Sequence, residues 1–85
     1  MYKVVFTRQA TKSFQKLPQH IALQIREKLA QVATDPFAQH PAVTKLQNRP
    51  GYRLRVGDWR VIYDLQKEEL IILVLKIAPR GEVYR

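Results

Sequence analysis

The chain has 85 residues, 46% of them hydrophobic, enough for one compact domain with one core and too few for a second. It contains no cysteine, which excludes a disulfide framework and a thiolate metal site. Its formal charge of +8 at pH 7 is large for 10.0 kDa and attracts polyanions at long range, so nucleic acid is the first candidate partner, with plain solubility the simpler reading.

Tyr2 to Phe6 alternates Tyr2, Val4 and Phe6 against Lys3 and Val5, the period of a strand with one face buried. Thr7 is placed to cap a short helix carrying the apolar stripe Ala10, Phe14 and Leu17 and ending before Pro18. Pro18 suits the first position of a second helix, where its missing N–H costs nothing, and Ile21, Ile25, Leu29 and Val32 then recur at helical spacing. Asp35-Pro36 ends that helix, because a residue before proline avoids the helical region.

From Asp35 to Pro50 three prolines and no sustained period predict a long irregular connection, pinned to the core by Val43 and Leu46. Three strands follow, at Tyr52 to Val56, Trp59 to Leu65 and Leu70 to Ala78, the last an aliphatic run expected to be covered on both faces, with Glu68-Glu69 in the turn before it. The run from Leu70 to Leu75 is far shorter than the roughly 20 residues of a membrane helix, and no charged-then-apolar signal pattern opens the chain. A cytoplasmic protein without a membrane partner is expected. The predicted architecture is α+β in the order β-α-α-β-β-β. It is one domain spanning residues 1–85, with a mainly antiparallel four-stranded sheet and a helical hairpin packed on one face.

The most informative stretch runs from Tyr52 to Tyr63, where Gly57-Asp58 fits a two-residue hairpin turn with glycine at its first central position. That turn sets Val56 opposite Trp59, Arg55 opposite Arg60, Leu54 opposite Val61 and Tyr52 opposite Tyr63. One face then holds Leu54, Val56, Trp59, Val61 and the two tyrosines; the other holds Arg53, Arg55 and Arg60 around Ile62 and Asp64. Like charges facing each other across strands repel, so this arrangement is a poor choice for stability alone. Guanidinium groups are planar, permanently charged and able to form paired hydrogen bonds to phosphate, so the cluster suits a phosphodiester. For any single arginine, a solvated strand face partly neutralised by Asp58 and Asp64 is the favoured reading; the three together favour binding.

Lys76, Ala78 and Arg80 share a parity at the end of the last strand, and Tyr84 follows four residues after Arg80, so these could rim the same site. Tyr84 can stack on a base of single-stranded RNA, take part in proton transfer, or merely pack. His20 and His40 have no partner at metal-ligand or triad spacing and are expected on the surface.

Over essentially its whole length the sequence resembles the RelE/ParE superfamily of toxins from toxin-antitoxin pairs. The residues that carry the resemblance are Tyr2-Lys3-Val4-Val5-Phe6-Thr7, Lys45-Leu46, the segment from Tyr52 to Tyr63, and Arg80-Gly81-Glu82-Val83-Tyr84. The resemblance implies a RelE-like fold and a toxin that enters the ribosomal A site and cuts messenger RNA without metal or other cofactor. The ribose 2′-hydroxyl would attack the adjacent phosphate, leaving a 2′,3′-cyclic phosphate and a free 5′-hydroxyl. By position it implies Arg60, Arg80 and Tyr84 as catalytic residues, and Arg53, Arg55 and Lys45 as RNA-binding residues. A cognate antitoxin with an acidic helical segment is the implied protein partner, and operator DNA would be met only through that complex. Many relatives carry a histidine just before the C-terminal arginine; here Pro79 stands there, and a ready proton donor is missing. The chain also ends soon after Tyr84, without the terminal helix of some members. The alternative within the superfamily is a ParE-like inhibitor of DNA gyrase with no chemistry of its own. A third reading is a toxin fold that has lost activity and serves as a nucleic-acid-binding or repressor partner.

Overall fold

The computed structural model describes residues 1–82. In chain order its elements are β1 (Lys3–Phe6), α1 (Arg8–Gln15), α2 (Gln19–Thr34), β2 (Val43–Lys45), β3 (Tyr52–Val56), β4 (Trp59–Gln66) and β5 (Ile71–Pro79). The strands form one sheet in the order β1-β5-β4-β3-β2, with β1 parallel to β5 and the other neighbours antiparallel.

Thr7 caps α1 as its sequence position suggests. Its backbone is extended, and its hydroxyl accepts from the Ala10 N–H at 3.1 Å while donating to the Leu75 carbonyl at 3.3 Å, so one side chain ties the start of α1 to β5. Ala10 is buried and Phe14 meets Phe6 edge-on with ring centroids 5.1 Å apart, which seats the helix on the sheet. Pro18 stands one residue earlier than expected, with ψ 143 as the cap of α2, so Gln19 is the first helical residue. From there α2 buries Ile25, Leu29, Val32 and Ala33. The Arg26 guanidinium lies 5.4 Å from the centre of the Phe14 ring and links the two helices outside the core.

The sheet has five strands among the described residues, where four were expected. Val43, Thr44 and Lys45 pair with Leu54, Arg53 and Tyr52, so part of the connection that reads as irregular is an edge strand. Three residues are too few for a period-two pattern to show; the β-branched Val43 and Thr44 suit a strand, and pairing with β3 completes it. The two anchoring residues also divide between faces: Val43 packs against the main core, while Leu46 is buried in a small cluster with Ile62 and Ala78, against which Leu75 packs.

β5 begins at Ile71 rather than Leu70 because Leu70 adopts the left-handed region, with φ 57. Its coverage is also more one-sided than the aliphatic run suggests. Ile72, Val74 and Ile77 are buried under the helices, but Ile71, Leu73 and Leu75 stay half-exposed. Ile62 pairs with Lys76 while the next residue, Tyr63, pairs with Val74, which leaves Leu75 as an extra residue in a bulge. The bulge resets the alternation, so that Val74 and Ile77 both face the core and Lys76 and Ala78 both face away from it. The result is a sheet with one face buried by two helices and the other open.

Candidate nucleic-acid interface

The open face is built by the β3–β4 hairpin. Gly57 has φ 58 and is the first central residue of the turn, a conformation that costs glycine little and a side chain with a Cβ much more. The register is the one the turn implies: Val56 opposite Trp59, Arg55 opposite Arg60, Leu54 opposite Val61, Arg53 opposite Ile62, and Tyr52 opposite Tyr63. Leu54, Val56, Val61 and Tyr63 are buried on the helical side, and the Tyr52 and Tyr63 rings stack there with centroids 5.4 Å apart. Burial first, and the neighbouring Tyr52 second, push the Tyr63 phenol from 10.0 up to about 12, so this hydroxyl is a structural group and not a base.

Alternation places Arg53, Arg55 and Arg60 together on the open side. Arg55 is exposed, and Arg53 and Arg60 are half-buried. Arg60 Nη1 donates to the carbonyls of Gly57 and Trp59, each at 2.9 Å, so the turn that sets the register also holds this guanidinium. A cation fixed in advance loses less freedom when an anion arrives. The Arg80 N–H donates to the Asp58 carbonyl at 2.7 Å, which brings the residue after β5 to the same turn. Gly81, with φ 87, then helps reverse the chain, and the Glu82 N–H bonds back to the Pro79 carbonyl at 3.0 Å. Arg80 is therefore exposed at the Arg60 end of the face. Asp64 is partly occupied locally, its Oδ1 accepting from the Leu65 N–H at 3.0 Å.

Lys45 occupies a different place from the arginines. Its register partner is Tyr52, whereas Thr44 is the neighbour of Arg53, so alternation assigns Lys45 to the helical side at the end of its short strand. It still borders a cleft of about 370 Å³ beside the arginine face, whose walls are Thr44, Lys45, Leu46, Gln47, Arg49 and Arg53. Gln47 and Arg49 escaped the sequence reading; the usable signal was a basic residue inside an Asn-Arg-Pro-Gly turn directly before the arginine strand. Tyr84 lies outside the described residues.

His20 is exposed and His40 is half-buried, with its Nε2 2.7 Å from the Asp35 carbonyl. Among the described residues no three His, Asp or Glu side chains gather where they could hold a metal ion, and no helix is long and apolar enough to cross a membrane.

Comparison with known proteins places this geometry in a class. Residues 4–84 match the family model for the ParE toxin of type II toxin-antitoxin systems. A RelE-like toxin protein of Escherichia coli is 29% identical over 85 residues, covering 98% of this chain and 90% of its own. The isolated E. coli RelE toxin superposes with a TM-score of 0.82 at 27% identity, over 99% of this chain and 92% of that one. A chain of the archaeal RelE–RelB complex from Pyrococcus horikoshii gives a TM-score of 0.80 at 31% identity, over 96% and 98%. Fold and sequence thus define a toxin of a type II toxin-antitoxin system. Within that class, the chain belongs to the RelE/ParE superfamily.

Proposed function

We propose that the protein is a ribosome-dependent endoribonuclease that cleaves messenger RNA and so inhibits translation. The observation that carries this reading is the gathering of Arg53, Arg55 and Arg60 on one open sheet face, with the Arg60 guanidinium already held by the Gly57 and Trp59 carbonyls. Attack of a ribose 2′-hydroxyl on the adjacent phosphorus forms the 2′-O–P bond and breaks the bond to the 5′-oxygen. The proton leaving the 2′-oxygen must be accepted, and another must reach the departing 5′-oxygen. Between these events the phosphorane carries more negative charge than the diester. Cations placed to meet that extra charge stabilise the transition state more than the ground state, which is what accelerates a reaction.

Arg60 and Arg80 take this role, Arg53 and Arg55 orient the backbone, and Lys45 contributes at the margin. Tyr84 is assigned to base stacking or proton transfer, and Pro79 supplies no proton. No cofactor enters the scheme.

The toxin is held in check by a cognate antitoxin, as the RelE–RelB complexes among its structural neighbours suggest. An acidic helical segment laid over the arginine face would be captured rapidly by charge complementarity and would block RNA. Operator DNA is met through the antitoxin, and the toxin acts in the cytoplasm.

The ParE name of the matching family supports a second reading, inhibition of DNA gyrase by binding alone. Inducible expression separates the two. New 5′-ends within messages during growth arrest support the endoribonuclease; intact messages with an induced DNA-damage response overturn it in favour of gyrase.

A further inference from the structure

The cleft beside Arg53 shares Arg53 and Lys45 with the residues assigned to RNA binding and adds Gln47 and Arg49, which have no role in that assignment. We infer that it is a nucleotide subsite, in which Arg49 clamps a backbone phosphate and Gln47 reads the base of a residue flanking the cleaved bond. This rests on the endoribonuclease reading and extends it to specificity.

Four features support the assignment. The loop is built rather than loose: the Leu46 N–H bonds the Gly51 carbonyl at 3.0 Å, closing residues 47–50 into a short excursion between β2 and β3. Its two special backbone positions are fixed, with Asn48 at φ 63 and Gly51 at φ 111. A Cβ on Gly51 would approach the Tyr63 carbonyl oxygen to 3.0 Å, so the loop base sits hard against β4. Leu46 is 9% exposed and packs with Ile62 and Ala78, so the floor of the cleft is continuous with the apolar floor of the arginine face.

The third feature is size: about 370 Å³ falls in the range of roughly 300–1,000 Å³ typical of small-ligand sites and matches one nucleotide better than a folded partner. The fourth is chemistry. Two arginines and a lysine stand in its walls with one primary amide and one hydroxyl, a set with charge for phosphate and a paired donor and acceptor for a base edge. Arg53 belongs to both the cleft and the arginine face. It stands two strand residues, about 6.8 Å, from Arg55, so a strand of RNA can pass from one to the other without leaving the surface.

The test uses the full-length protein and short single-stranded RNA oligonucleotides of uniform base, with binding followed by fluorescence anisotropy over a range of salt. Messages cleaved on ribosomes are mapped in parallel. Arg49→Ala should lower the slope of log affinity against log salt by about 0.7, one single-strand phosphate contact. Gln47→Ala should reduce the preference for one base at one position flanking the cut by roughly tenfold. Arg8→Ala removes the same charge from α1 on the helical side, and should leave slope and preference as in the parent. All substituted positions are exposed, and a thermal melt verifies folding.

A parent that cuts RNA while both cleft variants keep its slope and base preference overturns the subsite and leaves the endoribonuclease standing. A parent that never cuts, but whose slope falls in Arg49→Ala and not in Arg8→Ala, overturns the endoribonuclease and retains the cleft as an RNA site. An equal fall in Arg49→Ala and Arg8→Ala overturns the subsite, since net charge alone would then explain it.

Discussion

The two faces of the β3–β4 hairpin alternate residue by residue along the same strands, yet they follow opposite rules. On the helical face Leu54, Val61 and Tyr63 are no more than 1% exposed and contribute to the core in the ordinary way. On the open face the same backbone aligns Arg55 directly with Arg60, a pairing that opposes folding. The proposed RNA site accounts for a strand pair that accepts repulsion on one side while packing closely on the other. Variants that affect one face and spare the other can break or sharpen that distinction.

The largest effect is expected on the helical face. Leu54→Ala removes a side chain 1% exposed and should destabilise the protein by about 2–5 kcal/mol, read as a fall in Tm or denaturation midpoint. Next comes the open face: Arg60→Ala should lower the rate of ribosome-dependent cleavage by about 10²–10³-fold, the range for losing one preorganised group that meets transition-state charge. Its melting temperature should stay close to the parent value. A large loss of stability there would erase the distinction between the faces.

Tyr63 provides a pH test confined to the helical face. Its folded value, about 12, lies above the ordinary 10.0, so the neutral phenol favours the folded state at and below pH 10, and that contribution is lost as pH rises through about 12. The loss amounts to at most roughly 2–3 kcal/mol, and the parent should lose stability over this range more steeply than Tyr63→Phe. Parallel curves would contradict the buried, neutral assignment. The smallest effect has the opposite sign: Arg55→Gln removes the charge facing Arg60 and should raise stability by about 0.2–1 kcal/mol while weakening RNA binding.

The part of the fold that is legible in the sequence is the part governed by local chemistry. Thr7 as a cap, the helical spacing of Ile25, Leu29 and Val32, and Gly57 at a turn that admits one register all act over a few residues, and the arginine face follows from the last of these. What the sequence conceals depends on distant partners. Val43–Lys45 becomes a strand because β3 offers a free edge, and the bulge at Leu75 arises from how β5 meets β4. Leu46 faces the open side because Ile62 and Ala78 form an apolar floor there. The cleft of Gln47 and Arg49 follows from these tertiary facts, whereas Lys45 enters the site through the family resemblance alone.

The central claim is that guanidinium groups on the open face promote attack by the RNA's own 2′-hydroxyl. The most direct test is to incubate the purified protein with ribosomes programmed with a defined message and to analyse the new ends chemically. The account predicts 2′,3′-cyclic phosphate and 5′-hydroxyl termini, formed by the parent and at least about 10²-fold more slowly by Arg60→Ala. Uncut message, or cuts that leave 3′-hydroxyl and 5′-phosphate ends, would contradict it.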